Sequence, residues 1–424
     1  MRLNEKLRMI KEGIIIIGID IAKRMHWAQP MLHNGILLGK PFNIQNSRNG
    51  FKSLLAKLEL IKQQNNCREI IVGLEPTGHY WKALSWFLIN NQIKVVLVNP
   101  FHVKTSKELD DNTQTKSDPK DAMTIGKLVT EGRFFELYLP VGPWSELRVL
   151  SKTRNQLKAK SNAVLNHLRA ILDEYFPEYE TVFKTITGKA SLHILTNCLL
   201  PSDLKLLGVP GIIAEFRKAV KKGVGRKKAE LLYQAACNSV GFPANEAVKL
   251  KLSLFVQELN FLADQIATVE AEMEKQIEAT GISQYILSIK GIGIVTAAGI
   301  LGEIGDASRF SNWKQVRKLA GFNLVESSSG EHKGQRIISK RGRCLLRNYL
   351  YQAALVMVAQ NQEFKQLYQY LISRRQNPLK RKQAIVVVAI KLIRVILALI
   401  QKKESYDPGK ALGVYRETQL KKAA

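Results

Sequence analysis

The sequence predicts an α/β N-terminal domain, a long helical connector and a mostly α-helical C-terminal domain. Three observations carry this. Apolar strand-like runs among the first hundred residues end in single acids. Residues 144–175 and 250–279 repeat apolar residues at helical spacing, and the last third holds a glycine turn of the helix-hairpin-helix kind followed by a helix over 345–359.

Residues 14–20, Ile-Ile-Ile-Ile-Gly-Ile-Asp, read as the first strand. Residues 26–32 and 36–42 read as two more, with Asn34-Gly35 as the hairpin turn between them. A helix is expected over 51–61, a fourth strand over 70–75 ending at Glu75, a helix over 79–89 after Pro76-Thr77-Gly78, and a fifth strand over 93–98. Three antiparallel strands followed by two crossovers make an RNase-H-like domain, and chemistry in such open sheets collects at strand ends near the switch in strand order. Residues 101–117, polar and mixed in charge, read as a loop or lid; Asp110 and Asp111 are competing carboxylates there, with no strand end or helix start to aim them.

Asp20 and Glu75 close two strands, and Asp118 and Asp121 lie three apart in Ser-Asp-Pro-Lys-Asp-Ala. If Pro119 opens a helix, both of the latter fall in its first turn. Four carboxylates delivered this way suit Mg²⁺ (or Mn²⁺), which takes oxygen ligands and keeps waters. The bland reading of the second pair stands beside it, because Asp118 is also a good N-cap and Asp121 a good first-turn acid.

The two long amphipathic stretches are expected to pair with each other or with a second protomer. Between them lies a smaller helical segment with Leu207-Gly208-Val209-Pro210 and a cluster of Lys218, Lys221, Lys222, Arg226, Lys227 and Lys228, read either as a solvated face or as a phosphate contact. The expected domains are 1–142, 143–280, 281–404 and a basic tail over 405–424. In the C-terminal domain, Lys290-Gly291-Ile292-Gly293 has the glycines that let backbone N–H groups approach a DNA phosphate. Ser327-Ser328-Ser329-Gly330 is followed by Lys333, Arg336, Lys340, Arg341 and Arg343. A serine in a glycine loop facing cations is arranged as a nucleophile at phosphorus would be, although serine and glycine fill ordinary loops too.

Composition narrows the partners. With 64 Lys+Arg against 36 Asp+Glu and a net charge of +28, the chain attracts polyanions, and nucleic acid is the default. Its 46% apolar and 8% aromatic residues argue for folded domains rather than a basic tail. Cys67, Cys198, Cys237 and Cys344 form neither a zinc pattern nor a small disulfide framework, which fits a reducing cytoplasm. No signal peptide is read at the start, and the apolar run 384–400 contains Lys391 and Arg394, so it reads as a buried or interface helix and no membrane partner is expected.

Together these motifs carry a resemblance. Asp20 in Gly-Ile-Asp-Ile-Ala-Lys, Glu75 in Leu-Glu-Pro-Thr-Gly-His-Tyr, and Asp118 and Asp121 in Asp-Pro-Lys-Asp-Ala look like the four acids of the DEDD-type transposases of the insertion sequence 110 family. Gly291 to Thr296, Ala320-Gly321-Phe322 and the serine run resemble the C-terminal domain of the same family, in the same order along nearly the whole chain. The resemblance implies a RuvC-like first domain, metal bound by the acids, and DNA cut and rejoined through a covalent 5′-phosphoserine. It also implies guidance by a bridge RNA from the element's noncoding end, and composite active sites in a homodimer or homotetramer. By motif position Ser329 is the implied nucleophile, with Ser328 in reserve. Two other readings stay open: a metal-dependent nuclease or junction resolvase using activated water, and a nonenzymatic nucleic-acid-binding protein.

Overall fold

The computed structural model describes residues 3–111, 118–197, 200–221, 225–326, 336–413 and 418, and divides into two units, Met1–Leu139 and Pro140–Ala424. After a short helix α1 (Leu3–Arg8), the first unit runs β1 (Ile14–Asp20), β2 (Met25–Leu32), β3 (Phe42–Gln45), α2 (Arg48–Gln64), β4 (Glu69–Leu74), α3 (Trp81–Asn90), β5 (Lys94–Val98), α4 (Pro100–Asp111), α5 (Asp118–Thr130) and β6 (Phe134–Glu136). The strands form one mixed sheet in the order β3-β2-β1-β4-β5-β6. The β1–β4 and β4–β5 pairs are parallel; the other three are antiparallel.

β1 is an apolar run because both of its faces are covered. Ile15, Ile17 and Ile19 pack with Phe51, Leu54 and Leu58 of α2 and Leu84 and Leu88 of α3. Ile14 and Ile16 pack with Ile125, Leu128 and Val129 of α5 and Val103 of α4 on the other face. Ser47 starts α2 by accepting the Gly50 N–H at 3.1 Å.

Three local expectations are corrected. The strand expected over 36–42 is absent: Leu32 and Ile36 close the Asn34-Gly35 turn, only Met31 bridges Leu37, and regular pairing resumes at Phe42. Gly39 at φ +72° and Pro41, which has no N–H to donate, break the ladder between them. The segment expected as a loop over 101–117 instead contains α4, opened by Pro100 with the Asn99 side chain accepting the Phe101 N–H at 3.0 Å. β6, which no expectation covered, is three residues long and adds antiparallel to β5.

Among its described residues the second unit has helices and one small ribbon. It runs α6 (Pro143–Tyr175), α7 (Tyr179–Val182), α8 (Lys189–Thr196), α9 (Pro201–Ala219), α10 (Arg226–Cys237), α11 (Glu246–Ala279), α12 (Ser283–Leu287), α13 (Ile294–Ile304), α14 (Trp313–Leu319), β7 (Leu324–Val325), β8 (Ile337–Ile338), α15 (Cys344–Gln360), α16 (Gln362–Ser373), α17 (Arg381–Lys402) and α18 (Pro408–Ala411). The long helices α6 and α11 pair with each other, with Arg154 and Glu270 bridging them at 2.7 Å. They run in opposite directions, since Leu147 shares a core with Met273 and Ile277 while Leu168 and Leu172 share another with Leu252 and Val256. Helices α7 to α10 close around the second of these cores and α12 to α17 around the first. Within α9 the helix breaks at Gly208, whose φ of +62° ends one helical segment just before Pro210 begins the next.

The apolar stretch read as a buried helix is α17, long and apolar enough to cross a membrane, with 56% of its apolar window buried in the fold. Residues 405–412, expected as the start of a basic tail, are fastened to the core. Tyr406 donates its N–H to Ser288 Oγ at 2.8 Å and its hydroxyl to Glu363 at 3.1 Å, and Lys391 donates to the Leu412 carbonyl at 2.7 Å. Burial pushes the Tyr406 phenol up to about 12.

Candidate active site

Four carboxylates reach one edge of the first unit's sheet. β1 and β4 are parallel and in register up to Ile19 and Leu74, so Asp20 and Glu75 are the next residues on neighbouring strands. α5 lies across β1 and carries Asp118 and Asp121 in its first turn, as the proline reading expects. The approach is close because Gly18 has no side chain: a Cβ there would lie 2.1 Å from the Ala122 carbonyl oxygen and 2.4 Å from the Gly126 nitrogen. Asp121, one residue before Ala122, is only 6% exposed, whereas Asp118 is exposed. Glu75 is half-buried and accepts a 2.6 Å hydrogen bond from the Thr77 hydroxyl.

Hard oxygen donors of this kind fit Mg²⁺ or Mn²⁺. Among the described residues, no three His, Cys, Asp or Glu side chains stand close enough together to hold a metal ion. The backbone therefore delivers the acids to a common edge without closing them into a ligand cage. The side chains of Asp110 and Asp111 lie outside the described ones.

His26 escaped the sequence reading. It is fully buried on β2, stacks on Phe51, and accepts the Ala22 N–H on Nδ1 at 3.2 Å, which fixes the chain just after Asp20. Burial lowers its pKa, and the accepted hydrogen bond needs Nδ1 bare. The only sequence signal was a histidine in a mostly apolar strand.

In the second unit, the serine run and Lys333 fall in residues 327–335, outside the described residues. What brackets them is described. β7 and β8 pair antiparallel as a two-stranded ribbon, Leu324 with Ile338 and Val325 with Ile337. Arg336 and Glu326 face each other across its neck at 2.7 Å, both on the outside. Below them Ser339 donates its N–H to Asn323 at 2.7 Å, and Arg343 donates its N–H to Leu319 at 2.7 Å. Lys340 takes a left-handed φ of +54°, rare for a residue with a side chain, and Arg347 ties the ribbon's base to the Ala320 carbonyl at 3.0 Å.

The cationic residues sort by place. Arg336, Lys340 and Arg341 are exposed at the ribbon, and Lys290 is exposed in the glycine turn between α12 and α13. Arg343 differs: it is half-buried, donates to the Glu303 carbonyl and lies 3.8 Å from the Glu303 carboxylate, which is itself 4% exposed. Its guanidinium is committed inside the fold, so it braces the ribbon rather than presenting a phosphate contact. Arg148 of α6 adds donations to the Gly302 and Glu303 carbonyls at 3.2 and 3.3 Å.

Comparison with known proteins matches both halves. Residues 17–177 match the transposase model of the DEDD domain of IS110 type, and residues 283–369 match the model described as transposase, IS116/IS110/IS902 family. Together they take in more than half of the chain. The chain is 24% identical to an uncharacterised 44.8 kDa protein of insertion element IS116 from Streptomyces clavuligerus, covering 93% of this chain and 96% of that one. It is 24% identical to the transposase for insertion sequence element IS1111A of Coxiella burnetii, over 96% and 94% of the two chains. A pilin gene-inverting protein of Moraxella lacunata is 22% identical over 92% and 97%. The chain belongs to the IS110 family of transposases, enzymes that cut and rejoin DNA strands.

Proposed function

We propose that this transposase cuts DNA with Ser329 of the serine run between β7 and β8 in the sequence, while Asp20, Glu75, Asp118 and Asp121 hold Mg²⁺ or Mn²⁺. The observation that carries the reading is the meeting of two strand ends and one helix start at a single sheet edge, brought close by Gly18. The strand order 3-2-1-4-5, with β2 antiparallel and β4 and β5 parallel to β1, supports an RNase-H-like, RuvC-like domain.

In the step we infer, Ser329 Oγ attacks phosphorus and the bond from phosphorus to the 3′ oxygen breaks. The serine proton is given up, the 3′ oxygen leaves and takes a proton as a hydroxyl, and a 5′-phosphoserine remains. Attack by the 3′-hydroxyl of a second strand reverses the exchange and frees the serine. No net hydrolysis occurs and no ATP is needed, because one phosphodiester bond is exchanged for another. A bound divalent cation supplies charge neutralisation at the phosphoryl oxygens. The chain's own Arg336, Lys340 and Arg341 offset charge on the same group. Arg343 is left out of that set for its bond to Glu303.

By the family resemblance we further infer homodimers or homotetramers in which the acids of one protomer serve the serine of another. Guidance by a bridge RNA and residence in a prokaryotic cytoplasm belong to the same reading. A guided enzyme places sequence specificity in base pairing, and the ribbon's exposed cations then need read no bases.

The test is a DNA strand-cleavage assay with protein co-expressed with the noncoding DNA that flanks its gene. Ser329→Ala is expected to abolish cleavage and the covalent protein–DNA species, with Ser328→Ala retaining both. Chelation should abolish cleavage reversibly. Cleavage persisting in both serine variants would transfer the chemistry to activated water, as in a junction resolvase.

A further inference from the structure

Two helix starts in the second unit run against helix electrostatics. α8 begins after Gly188 and α10 after Gly225; neither has a side-chain cap, and neither has an acid in its first turn. Lys189 stands in the first turn of α8, and Arg226, Lys227 and Lys228 fill that of α10. Cations there oppose the positive end of the helix dipole, beside amide N–H groups with no partner inside the helix. Glu230 offsets Arg226 at 2.8 Å. A local rule broken without an evident compensating gain marks a position shaped by something other than stability.

The two starts border one concavity of about 490 Å³, lined by Phe183, Lys184, Thr185, Lys189, Ser191 and Lys228 among others. Three of its lining residues are lysines and none is acidic. None of the three lysines forms an ion pair among the described residues. The surroundings are built rather than loose. Lys228 Nζ lies 4.6 Å over the ring of the buried Phe183, and the buried Tyr179 donates its hydroxyl to the Ser191 carbonyl at 3.0 Å, which fixes the first turn of α8. Exposed Lys221, Arg226 and Lys227 continue the positive surface around α10, which suits an extended polyanion better than a small one.

We propose that this concavity binds phosphodiester groups of a nucleic-acid backbone, at residues none of which takes part in the strand chemistry. A phosphate there satisfies the uncapped N–H groups of α8 and relieves the repulsion among the lysines in one contact. The site reads charge alone, so it serves to hold and orient a strand rather than to choose its sequence.

The experiment uses the full chain in an Asp20→Asn background, so that no probe is cut. A labelled duplex DNA and a labelled RNA hairpin are titrated by fluorescence anisotropy across a range of salt. Lys184→Gln/Lys189→Gln/Lys228→Gln should weaken binding at least tenfold at low salt and flatten the plot of log K against log salt by about 2 to 3, at about 0.9 per phosphate contact on duplex DNA. Its thermal midpoint should stay level or rise, since a cation is removed from each helix start. Loss confined to RNA, or to DNA, identifies which backbone the site holds. Lys184→Gln/Lys189→Gln, both exposed, leaves the Lys228–Phe183 contact intact and should show about two-thirds of that slope change. Unchanged slope and affinity for both probes in the folded variants would overturn the proposal.

Discussion

Gly18 of β1 lies against Gly126 of α5 so closely that a Cβ on Gly18 would stand 2.4 Å from the Gly126 nitrogen. This contact sets the height of α5 above the sheet, and with it the distance from Asp121 to Asp20. Gly18→Ala is expected to destabilise the first unit by about 3 kcal/mol, the upper part of the range for overpacking, because the atoms it meets are backbone and cannot rotate away. Strand cleavage should fall with it even at temperatures where the variant is folded. Urea denaturation and a cleavage assay on the same preparation check both. A stable Gly18→Ala with full activity would detach the acids' placement from this contact.

Sequence reading located β1, β4 and β5 because buried parallel strands are written as unbroken apolar runs, and it located α6 and α11 because long helices repeat their pattern many times. The four acids were legible for the same reason: each sits at a strand end or helix start that local signals define. The strand at 42–45 was misplaced because Asn34-Gly35 is a strong turn signal whose ladder is cut by Gly39 and Pro41. α4 was missed because Val103 is buried among mostly polar neighbours, giving no periodicity to count. Arg343 looked like its cationic neighbours, and its commitment to Glu303, 40 positions away, exists only in three dimensions.

The acids themselves give the second prediction. Asp20→Asn and Asp121→Asn are nearly isosteric, so folding should be preserved while cleavage drops by more than about a hundredfold, the upper end of what even outer-shell changes produce in metal sites. Circular dichroism and turnover on a cleavable DNA measure the two effects. If Asp121→Asn cleaves normally while Asp118→Asn does not, the buried acid is a first-turn helix stabiliser and only the exposed one serves the metal.

Glu303 and Arg343 make the third. With Glu303 4% exposed and the Arg343 side chain 29% exposed, Glu303→Ala leaves a half-buried guanidinium without its carboxylate, and a loss of about 3 kcal/mol is expected. Glu303→Gln keeps the shape and an acceptor and should lose less. Because Arg343 closes the ribbon's base through its N–H bond to Leu319, Glu303→Ala should also raise hydrogen exchange over 336–343. Exchange unchanged in that stretch would confine the pair to stability.

His26 supplies a pH prediction with a definite sign. Burial lowers its folded pKa below the ordinary value near 6.5, so the unfolded chain binds more protons below that value and folding stability declines as pH falls through it. The paired Glu215, held below the ordinary carboxylate range by Lys218 and His193, gives up its contribution only in more acidic solution. Protonating Nδ1 also breaks the bond from the Ala22 N–H, two residues past Asp20. Intrinsic-rate-corrected exchange of the Ala22 amide should therefore be faster at pH 5.5 than at pH 7.5, and His26→Asn, whose side-chain oxygen accepts near the Nδ1 position without titrating, should flatten that difference. Equal corrected rates at both values in the unsubstituted protein would mean that the ring stays neutral throughout.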